Sequence, residues 1–537
     1  MIASAATGGQ TRSAMTQDSN HRQMRGWIPA TLILIAVGTS AYLWLREIAF
    51  MEPVLLGIGV LTVLLLGLWY IFFTGLRQRT RWLLLLIGTG FLISLYFIID
   101  RFTRVEGSIG GSGIPRLVWK WTPKREGTAR PLTLDPEASS TKPPGPTAAF
   151  EESGFPQFLG PDRSGMLSGI PLARDWSGAQ PKALWRQPIG LGWSGFAVSS
   201  QRAITQEQRR EDELIVCYEL QTGHALWAHT NHVRFSEALG GDGPRATPTV
   251  RLGRVYAMGA SGNLDCLEEK TGRLIWSRDV LNENHLSNLT WGKSCSPLLV
   301  QDLVVVTGGE EHEKSLLAYE AGTGKAVWRA GRDAASYCSP LVASLSGQEQ
   351  IVIVNAHSVT GHALHNGEIL WEYGWPDNFA KVTEPLVVDT NRVFIAAGYG
   401  VGCVMLRIER SAAGGWSATP LWNNRNLKPK FTNLVRRGQY VYGLDEGVLT
   451  CVNLEQGNRE WKEGHYGHGQ ILLVDDLLVV QAESGEVVLV EISPKKPRER
   501  ARFPALQGKT WNNPALVHDL ILVRNDHEAA CYRLDAQ

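Results

Sequence analysis

Aromatic and basic residues recur at matching places in the C-terminal part of the chain, spaced by about 40–50 residues. Aromatic rings stack on flat groups and fixed cations attract negative charge, so together they suit an anionic planar ligand or an acidic peptide. The candidates are Trp193, Arg245, Trp291, Lys293, Tyr337, Lys381, Lys430, His465, His468, Trp511 and Asn512. They predict a binding site if the fold brings them to one place. Ordinary polar ends of loops are the alternative that the sequence leaves open.

A repeated phrase supplies the elements that would position these residues. It consists of an apolar strand, a Thr-Gly, Asn-Gly or Gln-Gly turn, and a second strand that ends in tryptophan. Glycine tolerates a positive φ at the turn, so the two strands can fold back as a hairpin. The phrase occurs at 217–227, 264–276, 317–328, 363–371 and 451–461, with its turn glycine at Gly223, Gly272, Gly324, Gly367 and Gly457.

Repeats of this length that hold several strands predict an all-β propeller of four-stranded antiparallel blades. We expect each tryptophan on an outer strand, where the indole fills the wedge between twisted blades. The structural tryptophans predicted in this way are Trp185, Trp227, Trp276, Trp328, Trp371, Trp422 and Trp461.

The predicted number of blades depends on the units in which the repeated phrase is incomplete. The fifth unit has an enlarged turn over 409–418, and the seventh has Phe503 where tryptophan is expected. The last unit ends at 531–535 without a closing strand, which residues 181–188 can supply. We therefore expect eight blades, the eighth closed by this N-terminal strand so that no sheet edge stays free. Seven blades is the alternative.

The phrase resembles the tryptophan-docking motif of the PQQ-like β-propeller family, over roughly residues 155–537. Residues 155–165, FPQFLGPDRSG, also resemble the lead-in before many bacterial propellers of this type. That family contains the pyrroloquinoline-quinone (PQQ) dehydrogenases and the propeller lipoprotein of the outer-membrane β-barrel assembly machinery. The resemblance implies one of two functions. One is a binding or scaffolding propeller, and the other is a membrane-bound dehydrogenase that oxidises an alcohol or sugar with PQQ and Ca²⁺.

The residues favour the binding function. The blades are as short as in the assembly lipoprotein, whereas the dehydrogenases carry long insertions over the cofactor. Glu237, Asp242, Asp377 and Glu384 lie near the candidate residues, but no spacing selects them as a metal set, and no CxxCH haem motif is present. We predict a non-catalytic module without cofactor or metal, and keep the PQQ-dependent dehydrogenase as the alternative.

The first hundred residues contain three long apolar runs, 27–45, 54–76 and 82–99. Each approaches the roughly 20 residues needed to cross a bilayer, so we predict three transmembrane helices. A cleaved signal peptide is less favoured, because the first run has no small-x-small cleavage site and two more runs follow. Basic residues precede the first run and fill 77–81, so the positive-inside rule places both in the cytoplasm.

These features predict a cytoplasmic tail at 1–26, a membrane anchor at 27–99, a linker at 100–154 and a propeller at 155–537. The expected location is the inner membrane, with the propeller in the periplasm. The linker is rich in Gly and Ser at 107–113 and in Pro, Ser and Thr at 131–146, which favours a tether. Within it, LVWKW at 117–121 suits either a lipid interface or a short strand.

The overall charge restricts the class of binding partner, and the cysteine spacing restricts the role of the thiols. The chain has 53 basic and 52 acidic residues, which disfavours nucleic-acid binding. The seven cysteines form no CxxC motif, and Cys217, Cys266, Cys451 and Cys531 are expected as small core residues. A bridge between Cys295 and Cys338 is the less favoured alternative, because inner strands of neighbouring blades are expected to lie too far apart for disulfide geometry. We expect a protein partner in the cell envelope or an anionic ligand at the candidate site.

Overall fold

The computed structural model describes residues 27–43, 51–73, 76–108, 111, 114–123, 132–134, 154–176, 178, 180–310, 314–375 and 379–534. The chain divides into two compact units, Met1–Thr122 and Pro123–Gln537. The predicted tail at 1–26, most of the predicted tether at 131–146, and Asp377 lie outside the described residues.

The described residues of the first unit form three helices, Trp27–Leu43, Met51–Phe73 and Gln78–Phe102. Within the described residues, Pro53–Phe73 and Gln78–Phe102 are long and apolar enough to cross a membrane, whereas Trp27–Leu43 is apolar but shorter. The last helix continues past the predicted end at residue 99. It is followed by a two-stranded antiparallel sheet of Thr103–Ser108 and Pro115–Trp119, inside the segment predicted as a linker.

The second unit is an eight-bladed β-propeller of four-stranded antiparallel blades, as predicted. Blades 1 to 4, each from the inner to the outer strand, are Ala197–Ser199, Arg202–Arg209, Asp212–Glu219, Ala225–Asn231; Thr249–Arg251, Arg254–Met258, Asn263–Glu268, Leu274–Asp279; Leu298–Val300, Leu303–Thr307, Leu316–Glu320, Ala326–Ala330; and Leu341–Leu345, Gln348–Val354, Ser358–Ala363, Ile369–Gly374. Seven blades, the alternative, is therefore wrong.

Blades 5 to 8 follow the same order. They are Leu386–Val387, Arg392–Ala397, Gly402–Arg410, Trp416–Asn424; Val435–Arg437, Tyr440–Asp445, Val448–Asn453, Arg459–His465; Gln470–Val474, Leu477–Gln481, Glu486–Glu491, Arg498–Pro504; and Ala515–Val517, Leu520–Arg524, Glu528–Arg533, Lys182–Pro188. In blade 8, Lys182–Pro188 pairs antiparallel with Glu528–Arg533. Blade 7 gains a fifth, parallel strand, Met166–Leu167, beside Leu473 and Val474.

The core lies between the blades. The second and third strands are packed between neighbouring sheets on both faces, so they form continuous apolar runs such as Leu303–Thr307 and Leu477–Gln481. All seven cysteines are buried and free, which agrees with the core role predicted for Cys217, Cys266, Cys451 and Cys531, and Cys295 and Cys338 are not bridged.

At the circumference, a tryptophan of one blade packs on the turn glycine of the next. Gly272 has φ +70°, and a Cβ placed there would lie 2.4 Å from the Trp227 ring. The Trp227 Nε1 donates to the Glu269 carbonyl at 2.9 Å. Glycine is therefore required twice, for its φ and for its missing side chain. The same packing joins Trp185 to Gly223, Trp276 to Gly324, Trp328 to Gly367, and Trp422 to Gly457.

Three blade junctions depart from this packing. Trp371 donates its Nε1 to the Gln350 side chain of its own blade. Trp461 donates to the carbonyl of Ser493, where the chain has no turn glycine. In blade 7, Phe503 replaces the tryptophan and packs edge-on against Trp176, with ring centroids 5.2 Å apart.

Candidate binding mouth

The segments that precede the innermost strands come together at one face of the ring, which we call the mouth. One half of the mouth is a continuous aromatic cluster. Trp193 and Trp511 have centroids 5.0 Å apart, and Phe431 lies 4.8 Å from Trp511 and 5.6 Å from His468. These four residues come from blades 1, 8, 6 and 7, so the cluster crosses three blade junctions.

The other half of the mouth holds two more aromatic pairs. Trp291 and Tyr337 have centroids 5.3 Å apart, and the Trp291 amide donates to the Tyr337 hydroxyl at 3.2 Å. Phe379 stacks on Tyr399 at 5.9 Å. Burial raises the pKa of both tyrosines, so their hydroxyls stay neutral near neutral pH. The rings of Trp193, Trp291, Phe431 and Trp511 are half-buried, which leaves part of each surface to solvent.

Cations lie over several of these rings. Lys509 is 3.9 Å from the centroid of Trp511 and 4.9 Å from that of Trp193. Lys430 is 5.3 Å from the Tyr399 ring and forms an ion pair with Glu446 at 2.9 Å. Cations in this position are held by the negative face of the ring. Lys509 was missed in the sequence, although it stands two residues before Trp511.

Arg245 lies at the junction between the two halves. Its guanidinium is 4.7 Å from the Phe235 ring and donates to the carbonyls of Gly241 and Gly243. Desolvation lowers its pKa to about 10, against the attraction of Glu237 and Glu213. It stays charged at neutral pH, and backbone groups already satisfy part of the guanidinium.

Two of the predicted cations, Lys293 and Lys381, are buried beneath the surface of the mouth. Lys293 is fully buried, and its ammonium donates to Thr307 O and Oγ1, each at 2.8 Å, and to the carbonyl of Gly308. Burial lowers its pKa to about 8. Lys381 is also buried and donates to the Ala356 carbonyl at 2.6 Å. Both ammonium groups hold backbone in place, so we do not assign them to ligand contact.

Two further predicted residues, Asn512 and His465, are not part of the aromatic surface either. Asn512 is buried and donates to the carbonyls of Gly192 and Ser194, so it joins blade 8 to blade 1. His465 is exposed at the end of the outer strand of blade 6, outside the aromatic clusters. Of the residues missed, Phe431 adjoins Lys430, and aligning the repeats by their inner strands would have found it.

Three carboxylates near the mouth accept hydrogen bonds from other groups of the chain. Glu237 accepts from the amides of Leu239 and Gly240, and Asp242 accepts from Arg234 at 2.6 Å and Ser236 at 2.7 Å. Glu483 accepts from the Trp511 indole at 2.8 Å and the His468 amide at 2.9 Å. Among the described residues, no three His, Cys, Asp or Glu side chains form a group that could hold a metal ion. The described carboxylates Glu237, Asp242 and Glu483 thus accept hydrogen bonds from the chain itself and do not converge on one calcium site.

The opposite face of the ring is crossed by residues 155–167, which we call the plug. Phe155 pairs with Val198 of blade 1, and the Val250 amide of blade 2 donates to the Pro156 carbonyl at 2.7 Å. Arg163 donates to the carbonyls of Ser296 and Pro297 of blade 3 at 3.0 and 2.9 Å. The plug then ends as the parallel strand of blade 7. The lead-in motif is therefore part of the ring.

The plug also explains the place of Glu384. This carboxylate lies 3.8 Å from Arg163, and both side chains are buried. Burial raises the pKa of Glu384 to about 8, and Arg163 opposes that shift. The pair lines a cavity of about 240 Å³ between the plug and blades 4 to 6. Glu384 therefore belongs to the plugged face and not to the mouth.

The ring of eight blades with tryptophan-on-glycine packing is a β-propeller, and its repeat is similar to that of the PQQ-like repeat class. Residues 210–463 match the family model described as outer membrane protein assembly factor BamB. The chain is 22% identical over 329 residues to the outer membrane protein assembly factor BamB of Bordetella pertussis, which covers 58% of this chain and 74% of that protein. The resemblance predicted from the repeat is confirmed.

Solved structures share the fold at low identity. The quinohemoprotein alcohol dehydrogenase from Comamonas testosteroni aligns with a TM-score of 0.53 at 10% identity, over 75% of this chain and 83% of that chain. The quinohemoprotein alcohol dehydrogenase ADHIIG from Pseudomonas putida HK5 aligns with a TM-score of 0.51 at 13% identity, over 73% of this chain and 81% of that chain. At these identities the likeness concerns the fold alone.

Proposed function

We propose that this chain is a membrane-anchored, non-catalytic binding or scaffolding module of the cell envelope, whose mouth receives a protein partner. The observation that carries the proposal is the half-buried aromatic surface of Trp193, Trp511, Phe431 and Trp291, with Lys509 held over it. Partly exposed aromatic rings with a nearby cation are typical of protein interfaces. The similarity to an outer membrane assembly factor supports a protein as the partner.

The charges at the mouth favour a protein over a small anion. Among the described residues, the cations near these rings are Arg245, Lys430 and Lys509, and Lys430 forms an ion pair with Glu446. A small anionic ligand would need converging cations, whereas Lys293 and Lys381 are buried against carbonyls. We therefore propose a partner segment that combines apolar or aromatic side chains with few carboxylates, and we propose no cofactor.

The anchor is part of the same proposal. Two helices long and apolar enough to cross a membrane support insertion, and Trp27–Leu43 would be the third span. We propose the multi-pass inner-membrane arrangement, with the propeller in the periplasm and the domain limits given by the sequence. We also propose that Lys182–Pro188 closes the ring, because its pairing with Glu528–Arg533 removes a free edge.

Cofactor titration tests the non-catalytic part. PQQ and Ca²⁺ are added to the purified full chain in detergent, and PQQ absorbance and dye reduction are followed with alcohols and sugars. We expect neither stoichiometric binding nor substrate-dependent reduction. Stoichiometric PQQ binding together with dye reduction would replace the proposal by the dehydrogenase alternative. A quinoprotein dehydrogenase assayed in parallel shows that the reagents are active.

A further inference from the structure

The two-stranded sheet after helix Gln78–Phe102 has one apolar side. In its antiparallel register Val105 is opposite Leu117 and Thr103 is opposite Trp119. Directly opposed residues point to the same side of a sheet, so Val105, Leu117 and Trp119 share one side. Arg104 and Glu106 alternate to the other side, where their side chains form an ion pair at 3.4 Å.

The apolar side is exposed in the structure. Val105, Leu117 and Trp119 are 43%, 46% and 48% exposed, which is unusual for the apolar side of a sheet. Trp121 is 67% exposed and stacks on Trp119, with centroids 4.8 Å apart and planes 7° apart. Phe102, the last residue of the helix, meets Trp121 edge-on at 6.3 Å. These five residues form one surface, called the hairpin face below.

The hairpin face is fixed to the end of the helix. The Lys120 amide donates to the Phe102 carbonyl at 2.8 Å, and the Lys120 ammonium donates to the Asp100 carbonyl at 2.7 Å. Both carbonyls belong to the last turn, where a helix cannot satisfy its own acceptors. Arg104 adds hydrogen bonds to the carbonyls of Lys120 and Thr122, each at 2.9 Å. The hairpin therefore continues the helix as one body.

The depth of the hairpin follows from its hydrogen bonding. A two-stranded sheet leaves backbone groups unpaired at both edges, which excludes the hydrocarbon core of a bilayer. Its exposed tryptophans and apolar side chains equally disfavour full exposure to water. The headgroup interface satisfies both demands, and tryptophan is favoured at that level. Neither the hydrocarbon core nor bulk water satisfies both demands.

We infer that the hairpin face lies in the phospholipid headgroup interface, at the end of the membrane span formed by Gln78–Phe102. The partner is the bilayer itself, because the surface is continuous with the apolar helix. This inference rests on the proposed membrane anchor. Both interpretations of LVWKW at 117–121 then hold together, since the segment forms a strand and presents its indoles for lipid contact.

Depth-dependent quenching tests the inference with the full chain in phosphatidylcholine vesicles. The native cysteines are all buried, so single cysteines can be labelled selectively with the fluorophore NBD. Leu117→Cys reports the hairpin face, Arg116→Cys the opposite side of the same strand, and Leu86→Cys the helix. Vesicles carry nitroxide lipids labelled either near the headgroup or deep in the acyl chain.

We expect the probe at 117 to be quenched about twofold more by the shallow nitroxide than by the deep one. The probe at 116 should be quenched by aqueous iodide, and the probe at 86 by the deep nitroxide. If 117 behaves like 116 while 86 is quenched deeply, the hairpin inference is wrong and the anchor stands. If 86 is quenched by neither nitroxide, the anchor is wrong and the inference fails with it.

Discussion

The circumference and the mouth of the propeller use the same residue types in opposite ways. At the circumference, five blade junctions repeat one arrangement, a tryptophan packed on a glycine of positive φ. At the mouth, successive blades contribute different rings, among them Trp193, Trp291, Tyr337 and Phe431. Repetition therefore marks the arrangement that most of the blade junctions use in order to pack. Variation marks a surface that no blade needs for folding, which is where binding specificity can be built.

The plugged face should behave like the circumference, and it gives the largest expected effect. Arg163→Met removes hydrogen bonds to Ser296 and Pro297 and leaves Glu384 buried without its cation. We expect a loss of about 4 kcal/mol in the free energy of unfolding, measured by urea denaturation at about pH 9, above the pKa of Glu384, where its carboxylate is ionised. The double variant Arg163→Met with Glu384→Met should lose less than the single one. An equal or greater loss would show that the pair is not coupled.

The circumference comes second. Gly272→Ala places a methyl group against the Trp227 ring at a φ of +70°, and we expect a loss of about 3 kcal/mol. Gly253→Ala is the matched control in the same blade, because Gly253 also has φ +70° but nothing within 4 Å of its added Cβ. It should lose only about 1 kcal/mol. Equal losses would mean that the tryptophan contact adds nothing to the backbone strain.

The third prediction concerns pH. The raised pKa of Glu384, about 8, means that the folded chain keeps a proton that the unfolded chain releases near pH 4.5. Stability therefore falls as pH rises from about 4.5 to 8, and Glu384→Gln removes that dependence. We expect the unfolding free energy of the wild type, relative to this variant, to fall by on the order of 2 kcal/mol from pH 5 to pH 8. A constant difference would show that Arg163 keeps the carboxylate ionised.

The mouth should give the smallest effect on stability. Lys509→Ala is expected to change the free energy of unfolding by less than about 0.5 kcal/mol, because the side chain lies on the surface of the rings. Affinity for the partner should fall about fivefold through the lost cation–ring contact. Arg273→Ala, at an exposed turn of the circumference, is the control and should change neither quantity. A large loss of stability from Lys509→Ala would contradict the division between the two regions.

The sequence predicted the circumference better than the mouth. The repeated phrase supplies both partners of this contact, a turn glycine and a tryptophan, in each hairpin, so the packing of one blade on the next follows from the repeat itself. The mouth depends on how neighbouring blades meet. The sequence located Lys293 and Lys381 in the right segments, but lysine is compatible with a solvated rim or with a buried cage of carbonyls. Only the positions of Thr307, Gly308 and Ala356 decide between them.

The plug shows a second reason why part of the structure could not be predicted from the sequence. Residues 155–165 form a motif in the sequence, yet nothing local indicates that Arg163 reaches blade 3, more than 130 residues away in sequence. The same holds for the pair of Arg163 with Glu384. Long-range contacts of single side chains leave no periodic signal. The eight blades were countable because their signal is periodic.

Site-specific photocrosslinking tests the central claim that the mouth is the binding surface. A photoreactive benzophenone amino acid replaces Lys509 at the mouth or Arg273 at the circumference of the full chain, in intact cells. We expect a discrete crosslinked protein at position 509, identifiable by mass spectrometry, and none at 273. Crosslinking at 273 with none at 509 would contradict it and would move the binding surface to the circumference.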